Sequence, residues 1–457
     1  MSVIAPPRPP EHDAPEPEAL IEEARSLQRR RRRRVASVAL VAAAVTGAAG
    51  AAGLATHRGP FFSGGGDSGG VATRCPGASL GKVAFVRAGR LELLDLERCR
   101  TTTIVSAHAG GPLRFSPDGR FVAFGGSYVS VSGGRVHRTG GSPWWSPNGL
   151  RVITTVGTNG LGIRRLGGPT RVLLPDGFGV HTWALSPDGK TLAVSRSTYR
   201  SYTQPPPYHQ EIWLVDLATG ARRMVFAEPP RTLAPAMLQG FSPDGRRLLF
   251  FEDLDNGASL MADGLPLKAV DVRTGAVRRI GRGTLRDPGF TEWCGGSLLY
   301  VLNRGGRIVT LGDGLAAATP PRFDSRTILP AGGTTSWNSV ACRPGGRSVA
   351  VAGGPVSDDS PFGQEHRSLW LAPLDGSPPV RLTRPPGRLT DELPQWSADG
   401  RWLLFVRTKP GGLPATGALY ALDVGSRRLV GPIVRLGRTG DFYGTYGWPN
   451  QLAWYRG

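Results

Sequence analysis

Apolar residues in most of this chain come in runs of three to five, each set off by turn-forming residues. Phe121-Val-Ala-Phe124, Leu192-Ala-Val194, Leu248-Leu-Phe-Phe251 and Leu403-Leu-Phe-Val406 are such runs, each starting just after a glycine-containing turn. Runs of this length, bounded by Gly, Pro, Asp and Ser, predict buried β-strands. With 65 Gly and 40 Pro, almost every window of a dozen residues is interrupted, which excludes long helices outside one segment. That segment is Val35–Thr56, a stretch without a charge.

The turns repeat. Phe115-Ser-Pro-Asp-Gly119 recurs as Trp145-Ser-Pro-Asn-Gly149, Leu185-Ser-Pro-Asp-Gly189, Phe241-Ser-Pro-Asp-Gly245 and Trp396-Ser-Ala-Asp-Gly400, with degenerate copies Cys342-Arg-Pro-Gly-Gly346 and Glu292-Trp-Cys-Gly-Gly296. Ser can cap such a turn, Pro presets φ, Asp tolerates the bridge region and Gly accepts positive φ. The structural turn residues are therefore Gly119, Gly149, Gly189, Gly245, Gly346 and Gly400. A third strand follows with its own ending, as in Trp213-Leu-Val-Asp216-Leu-Ala-Thr-Gly220 and Ala269-Val-Asp271-Val-Arg-Thr-Gly275, and then a fourth. Four antiparallel strands per repeat is the plan of a propeller blade.

The Ser-Pro-Asp-Gly turn followed by a Leu-Ala-Phe-like strand resembles the TolB-like (WD40-like) β-propeller repeat, over roughly Gly81 to Gly457. The resemblance implies an all-β propeller of four-stranded antiparallel sheets and leaves function open, because propellers host many activities. The family trait is six blades. Here a first unit starts at Lys82 without a preceding turn, and residues 81–457 divide into eight units of about 47 residues, within the usual repeat length. Eight blades are favoured, seven next. The segment Tyr443–Trp454 resembles the inner strand that the first unit lacks and is expected to close the ring, which removes free sheet edges.

As a helix, Val35–Thr56 would span roughly 33 Å, about one hydrocarbon core. Arg29–Arg34 precede it without interruption. Moving each across a bilayer costs on the order of 3 kcal/mol, so they stay cytoplasmic. The expected organisation is a cytoplasmic Arg-rich tail (1–34), a transmembrane signal anchor (35–56), a Gly/Ser-rich spacer (57–80) and an extracytoplasmic propeller (81–457). A cleaved signal peptide is the alternative, given Gly53-Leu-Ala55.

The 457 residues carry a net charge of +20, from 55 Lys+Arg against 35 Asp+Glu. Only four of the basic residues are Lys, the mark of a GC-rich composition. No tract alternates aromatics with Arg as a single-strand platform would, so nucleic acid is not an expected partner. The four cysteines form no Cys-x-x-Cys pair, which argues against a metal site. An oxidising compartment favours bridges instead. Cys75 and Cys99 flank the second and third strands of unit one, and Cys294 and Cys342 sit near the inner strands of consecutive units.

Candidate chemistry is sparse. Gly66-Asp-Ser68-Gly-Gly70 matches a nucleophile motif by composition alone, without a strand before or a helix after it. Asp253-Leu-Asp255-Asn256-Gly257 lacks the spacing and the twelfth-place acid of a calcium loop. No catalytic residue, cofactor or metal ligand is expected. The better recognition elements are inserts, because aromatic, Pro-rich loops on a rigid scaffold often bind. Ser195–Gln210 interrupts unit four, Pro355–His366 unit seven and Pro410–Thr416 unit eight. Tyr199, Tyr202, Tyr208, His209 and His366 are the binding candidates. The expected function is a membrane-anchored binding or scaffold module with a monomeric ectodomain, its partner an unidentified protein or cell-envelope ligand. The alternatives are a propeller-type hydrolase or lyase acting in the axial funnel, and a signalling component with a cytoplasmic partner.

Overall fold

The computed structural model describes residues 75–456, apart from short stretches at 78–79, 107–108, 140–142, 144, 146–150, 166–167, 198–207, 233–235, 253–264, 287–288, 303–313, 331–334, 356–365, 410–414, 440 and 443–444. The Arg-rich tail, the 35–56 segment, most of the spacer and Gly149 lie outside the described residues. Among the described residues, no helix is long and apolar enough to cross a membrane.

The apolar runs pair into eight antiparallel sheets around a ring. Blade 4 shows the plan, with strands Val180–Leu185, Thr191–Ser197, Tyr208–Asp216 and Arg222–Thr232 in spatial order. Blades 5 to 8 repeat it from Met237, Thr291, Thr335 and Thr390. Blade 3 has three full strands, and its innermost place is held by a bridge from Trp145 to Val152. In blade 1 the innermost strand is Leu452–Tyr455, whose Tyr455 pairs with Lys82 and Trp454 with Val83. The C-terminal segment thus closes the ring, giving an eight-bladed propeller. It supplies only this inner strand; the part before it is a short hairpin (Asp441–Phe442 with Thr445–Tyr446) and one helical turn, Trp448–Gln451.

Eight apolar clusters fill the ring, one between each pair of neighbouring blades. Val83, Phe85, Leu404 and Trp448 join blades 8 and 1, and Leu299, Val301, Val349 and Val351 join blades 6 and 7. A sheet with both faces covered needs apolar residues at successive positions, which is why the strands read as continuous runs.

Arginine adds polar links between blades. Arg171, Arg223 and Arg326, at or near the start of outer strands in blades 3, 4 and 6, donate to the carbonyls of Ala218, Val272 and Leu374 in the next blade, at 3.0, 2.6 and 2.6 Å. Part of the excess of Arg therefore has a structural use, since a guanidinium offers five donors on a long stem.

Candidate functional site

Antiparallel pairing sorts the connections onto two faces. Turns between the first and second strands, and between the third and fourth, lie on one face. Connections between the second and third strands, and those between blades, lie on the other.

The turn face is built from local hydrogen bonds. The Ser116 hydroxyl donates to Asp118 Oδ1 at 2.5 Å, and the Phe121 N–H donates to Ser116 Oγ at 2.9 Å. The same pair of bonds recurs at Ser186–Asp188 and Thr191, Ser242–Asp244 and Arg247, and Ser397–Asp399 and Trp402. Gly119, Gly189, Gly245, Gly346 and Gly400 take φ between +66° and +70°. The serine hydroxyl holds Asp118, Asp188 and Asp399 below the usual carboxylate range.

The chain reaches blade 1 on this same face. Cys75 is disulfide-bonded to Cys99, in the turn before the outer strand of blade 1. Pro76 O accepts a hydrogen bond from Arg428 of blade 8. Cys294 is bonded to Cys342, which links blade 6 to blade 7.

The opposite face carries the inserts. Long connections open there between Ser197 and Tyr208, Phe251 and Leu265, Leu302 and Gly314, Pro355 and Ser368, and Lys409 and Ala415. Three inserts are shorter than the sequence suggested. Residues 195–197 and 208–210 belong to strands of blade 4, with Ser195 fully buried, Pro355 ends a strand of blade 7, and Ala415–Thr416 belong to a strand of blade 8. Tyr199 and Tyr202 lie outside the described residues. Tyr208 and His209 open the third strand of blade 4, and His366, exposed with φ +64°, ends the blade 7 insert. The described candidates, Tyr208, His209 and His366, therefore share a face but are spread over two blades.

A second polar region was not found from the sequence. It lines the axis, which the innermost strands border. In each of six blades one apolar residue precedes the turn and pairs with a buried second-strand residue: Phe115–Val122, Leu185–Leu192, Phe241–Leu248, Trp293–Leu298, Trp396–Leu403 and Trp454–Val83. In blade 6 that residue is Trp293, not Glu292, because the turn there is two residues shorter than in blade 5. One position earlier stand Ala453, Ala184, Gly240, Ala341 and Gln395 in blades 1, 4, 5, 7 and 8. In blade 2 this position is Arg114 and in blade 6 it is Glu292, on opposite sides of the ring.

Arg456 follows the closing strand and stacks over Trp454 at 5.2 Å. Its charge is felt at Glu292 of blade 6, which is not a neighbour of blade 1. Burial pushes the Glu292 carboxyl up to about 7, against the opposing pull of Arg456. Burial also draws Arg114, Arg286 and Arg456 down. Arg114 and Arg456 nonetheless keep exposed surface. Side chains that touch water yet are crowded by protein mark a concave, wetted wall. Toward the insert face, His181 Nε2 lies 2.9 Å from Met237 Sδ, and burial with the nearby Arg286 charge keeps the imidazole neutral at physiological pH. Gln239 donates to Thr291 Oγ1 at 3.0 Å, tying the inner strands of blades 5 and 6.

A separate cleft of about 650 Å³ opens on the insert face at the ring closure, bordered by Arg87, Gly89, Gly111, Arg438 and Gln451. Among the described residues, no group of three or more His, Cys, Asp or Glu is placed to hold a metal ion.

No protein-family model matches the sequence, and no curated protein matches it. Solved structures are similar in fold. A dipeptidyl peptidase 4 from Porphyromonas gingivalis is 12% identical, with a TM-score of 0.51, over 81% of this chain and 60% of that one. This chain thus spans less than two thirds of the peptidase. A eukaryotic initiation factor is 15% identical, with a TM-score of 0.51, over 85% of this chain and 91% of that one. TolB from Acinetobacter baumannii is 14% identical, with a TM-score of 0.31, over 76% and 78%. At these identities the likeness is one of fold alone, and the TolB-like resemblance reduces to a distant similarity between propellers.

Proposed function

We propose that the protein is a membrane-anchored, extracytoplasmic binding module that meets a protein partner with its insert face. One observation carries this reading: the polarity of the ring. The chain joins blade 1 on the turn face, where Lys82 pairs with Tyr455, while the long connections open on the opposite face. A chain coming from an anchor at residues 35–56 enters the ring on its turn face, opposite the inserts. The two disulfides fit an oxidising compartment, and loops on a rigid scaffold are the usual seat of recognition.

Site-specific photocrosslinking of the full chain in membranes of its host tests this. A crosslinker at Tyr208 or His366 should capture a discrete protein partner, whereas one at Asp216 or Asp271, on the turn face, should not. Capture from the turn-face positions alone would overturn the reading.

A further inference from the structure

The closing strand Leu452–Tyr455 is four residues long and pairs on one side, with the Lys82–Arg87 strand. So short a strand depends on what else touches it. Toward the insert face it continues from the helical turn Trp448–Gln451. Toward the turn face it meets the segment through which the chain enters blade 1. The Trp454 indole N–H donates to Leu80 O at 2.6 Å. Gly81, at φ +75°, lies so close that a Cβ there would overlap the Tyr455 carbonyl. The Leu96 N–H donates to Gly81 O at 3.1 Å. Leu80 and Leu96 are buried in the cluster that joins blades 8 and 1, and Cys75, Cys99 and Trp454 pack against it. From blade 8, Arg428 donates to Pro76 O at 3.2 Å and stacks over Trp402 of the same cluster at 5.5 Å. The entry segment is thus a strap across this seam. Strand pairing fixes it from Lys82 onward, and the Cys75–Cys99 bridge fixes its other end.

We propose that the Cys75–Cys99 bridge is a redox latch on ring closure. Oxidised, it holds the strap against the closing strand; reduced, it frees the strap and lets the closing strand detach from blade 1. The reductant is a dithiol. One of its thiolates attacks a sulfur of the bridge, expels the other cysteine as a thiolate and forms a mixed disulfide; its second thiolate then releases the first cysteine. Two electrons pass to the bridge, two protons complete the Cys75 and Cys99 thiols, and the dithiol leaves as a disulfide. Exchange with an oxidised dithiol runs the same steps backward and relocks the ring. This bridge is the more accessible one, since Cys75 and Cys99 both keep exposed surface while Cys294 is 2% exposed, and exchange needs access to a sulfur. The latch lies on the turn face, so a chain that fails to crosslink a partner at its inserts can still carry it.

Hydrogen exchange of the full-length chain in detergent tests the proposal, read on Leu452–Tyr455 and, as a control, on Val180–Leu185 of blade 4. Dithiothreitol should speed exchange of the closing strand about tenfold while blade 4 keeps its rate. Cys75→Ser with Cys99→Ser should show the fast rate without reductant and gain nothing from it. Cys294→Ala with Cys342→Ala should keep the slow rate until reductant is added. A closing strand that exchanges at the oxidised wild-type rate in the Cys75→Ser, Cys99→Ser variant would overturn the latch. Equal acceleration in blade 4 would also overturn it, by showing a general loss of stability. So would a response to dithiothreitol that is abolished by Cys294→Ala with Cys342→Ala instead.

Discussion

The indole N–H of Trp448 donates to Thr408 Oγ1 at 2.9 Å and so ties the closing segment to the second strand of blade 8. Trp448 is 1% exposed and sits in the cluster that joins blades 8 and 1. Trp448→Ala should lower stability by about 3–5 kcal/mol, the usual result of emptying a buried indole site. Chemical unfolding of the variant beside the wild type measures this. A loss below about 1 kcal/mol would mean that the helical turn is a passive cover and that the strand pairing alone closes the ring.

Two turn glycines with nearly the same φ should respond differently to alanine. At Gly245 a Cβ would find Pro187 Cδ at 3.8 Å, so only the left-handed backbone opposes it, at about 1–2 kcal/mol. At Gly119 a Cβ would overlap the ring of Tyr455, the last residue of the closing strand. Tyr455 would have to move, and with it the contact to Phe115 at 5.6 Å between ring centroids. Gly119→Ala should therefore destabilise clearly more than Gly245→Ala in thermal melts. Equal costs would contradict the packing of Tyr455 over the first turn.

The Cys294–Cys342 bridge closes a separation of 48 residues across two blades. Removing both sulfurs, as Cys294→Ala with Cys342→Ala, should cost about 2–4 kcal/mol. Calorimetry of the oxidised wild type and the double variant should show the lower transition in the variant. Coincident transitions would mean that apolar packing between blades 6 and 7 carries the interface unaided.

Glu292 also couples stability to pH. Unfolded, it ionises near the ordinary glutamate value of 4.5; folded, at about 7. Between these values the native state holds the extra proton, so its contribution is fully present below the lower value and is lost as pH rises through the upper one. Melting temperature should therefore fall from about pH 5 to about pH 8, and Glu292→Gln should flatten this part of the profile. A variant with the wild-type slope would show that other groups set it.

The turns were legible in the sequence because their chemistry is local. Ser116, Asp118 and Phe121 satisfy one another within five residues, so their pattern survives without knowledge of the ring. The blade count and the closing strand followed from the same repeat. The channel was hidden for the opposite reason. Arg114 and Glu292 are related only through the register of blades 2 and 6, and Arg456 meets Glu292 only once the ring is shut. The shortened turn at Cys294–Ser297 also put Trp293 out of step, so Glu292 read as the lead residue of a degenerate copy. The signal was available: a charged residue one place before the turn aromatic, where most copies carry a small one. The arginine links were hidden likewise, since Arg223 and Val272 lie 49 residues apart.

Because Leu452–Tyr455 completes the blade that Lys82 begins, the first blade synthesised is the last one finished. At ordinary elongation rates the intervening chain takes about 20–70 s to make. Throughout that interval the Lys82–Arg87 strand has an unpaired inner edge, able to recruit a strand from another copy. A ring sealed by its own late-arriving strand is therefore most exposed to domain exchange while it is being made. The demand on any assembly factor falls on this one edge, and it ends when the closing strand arrives.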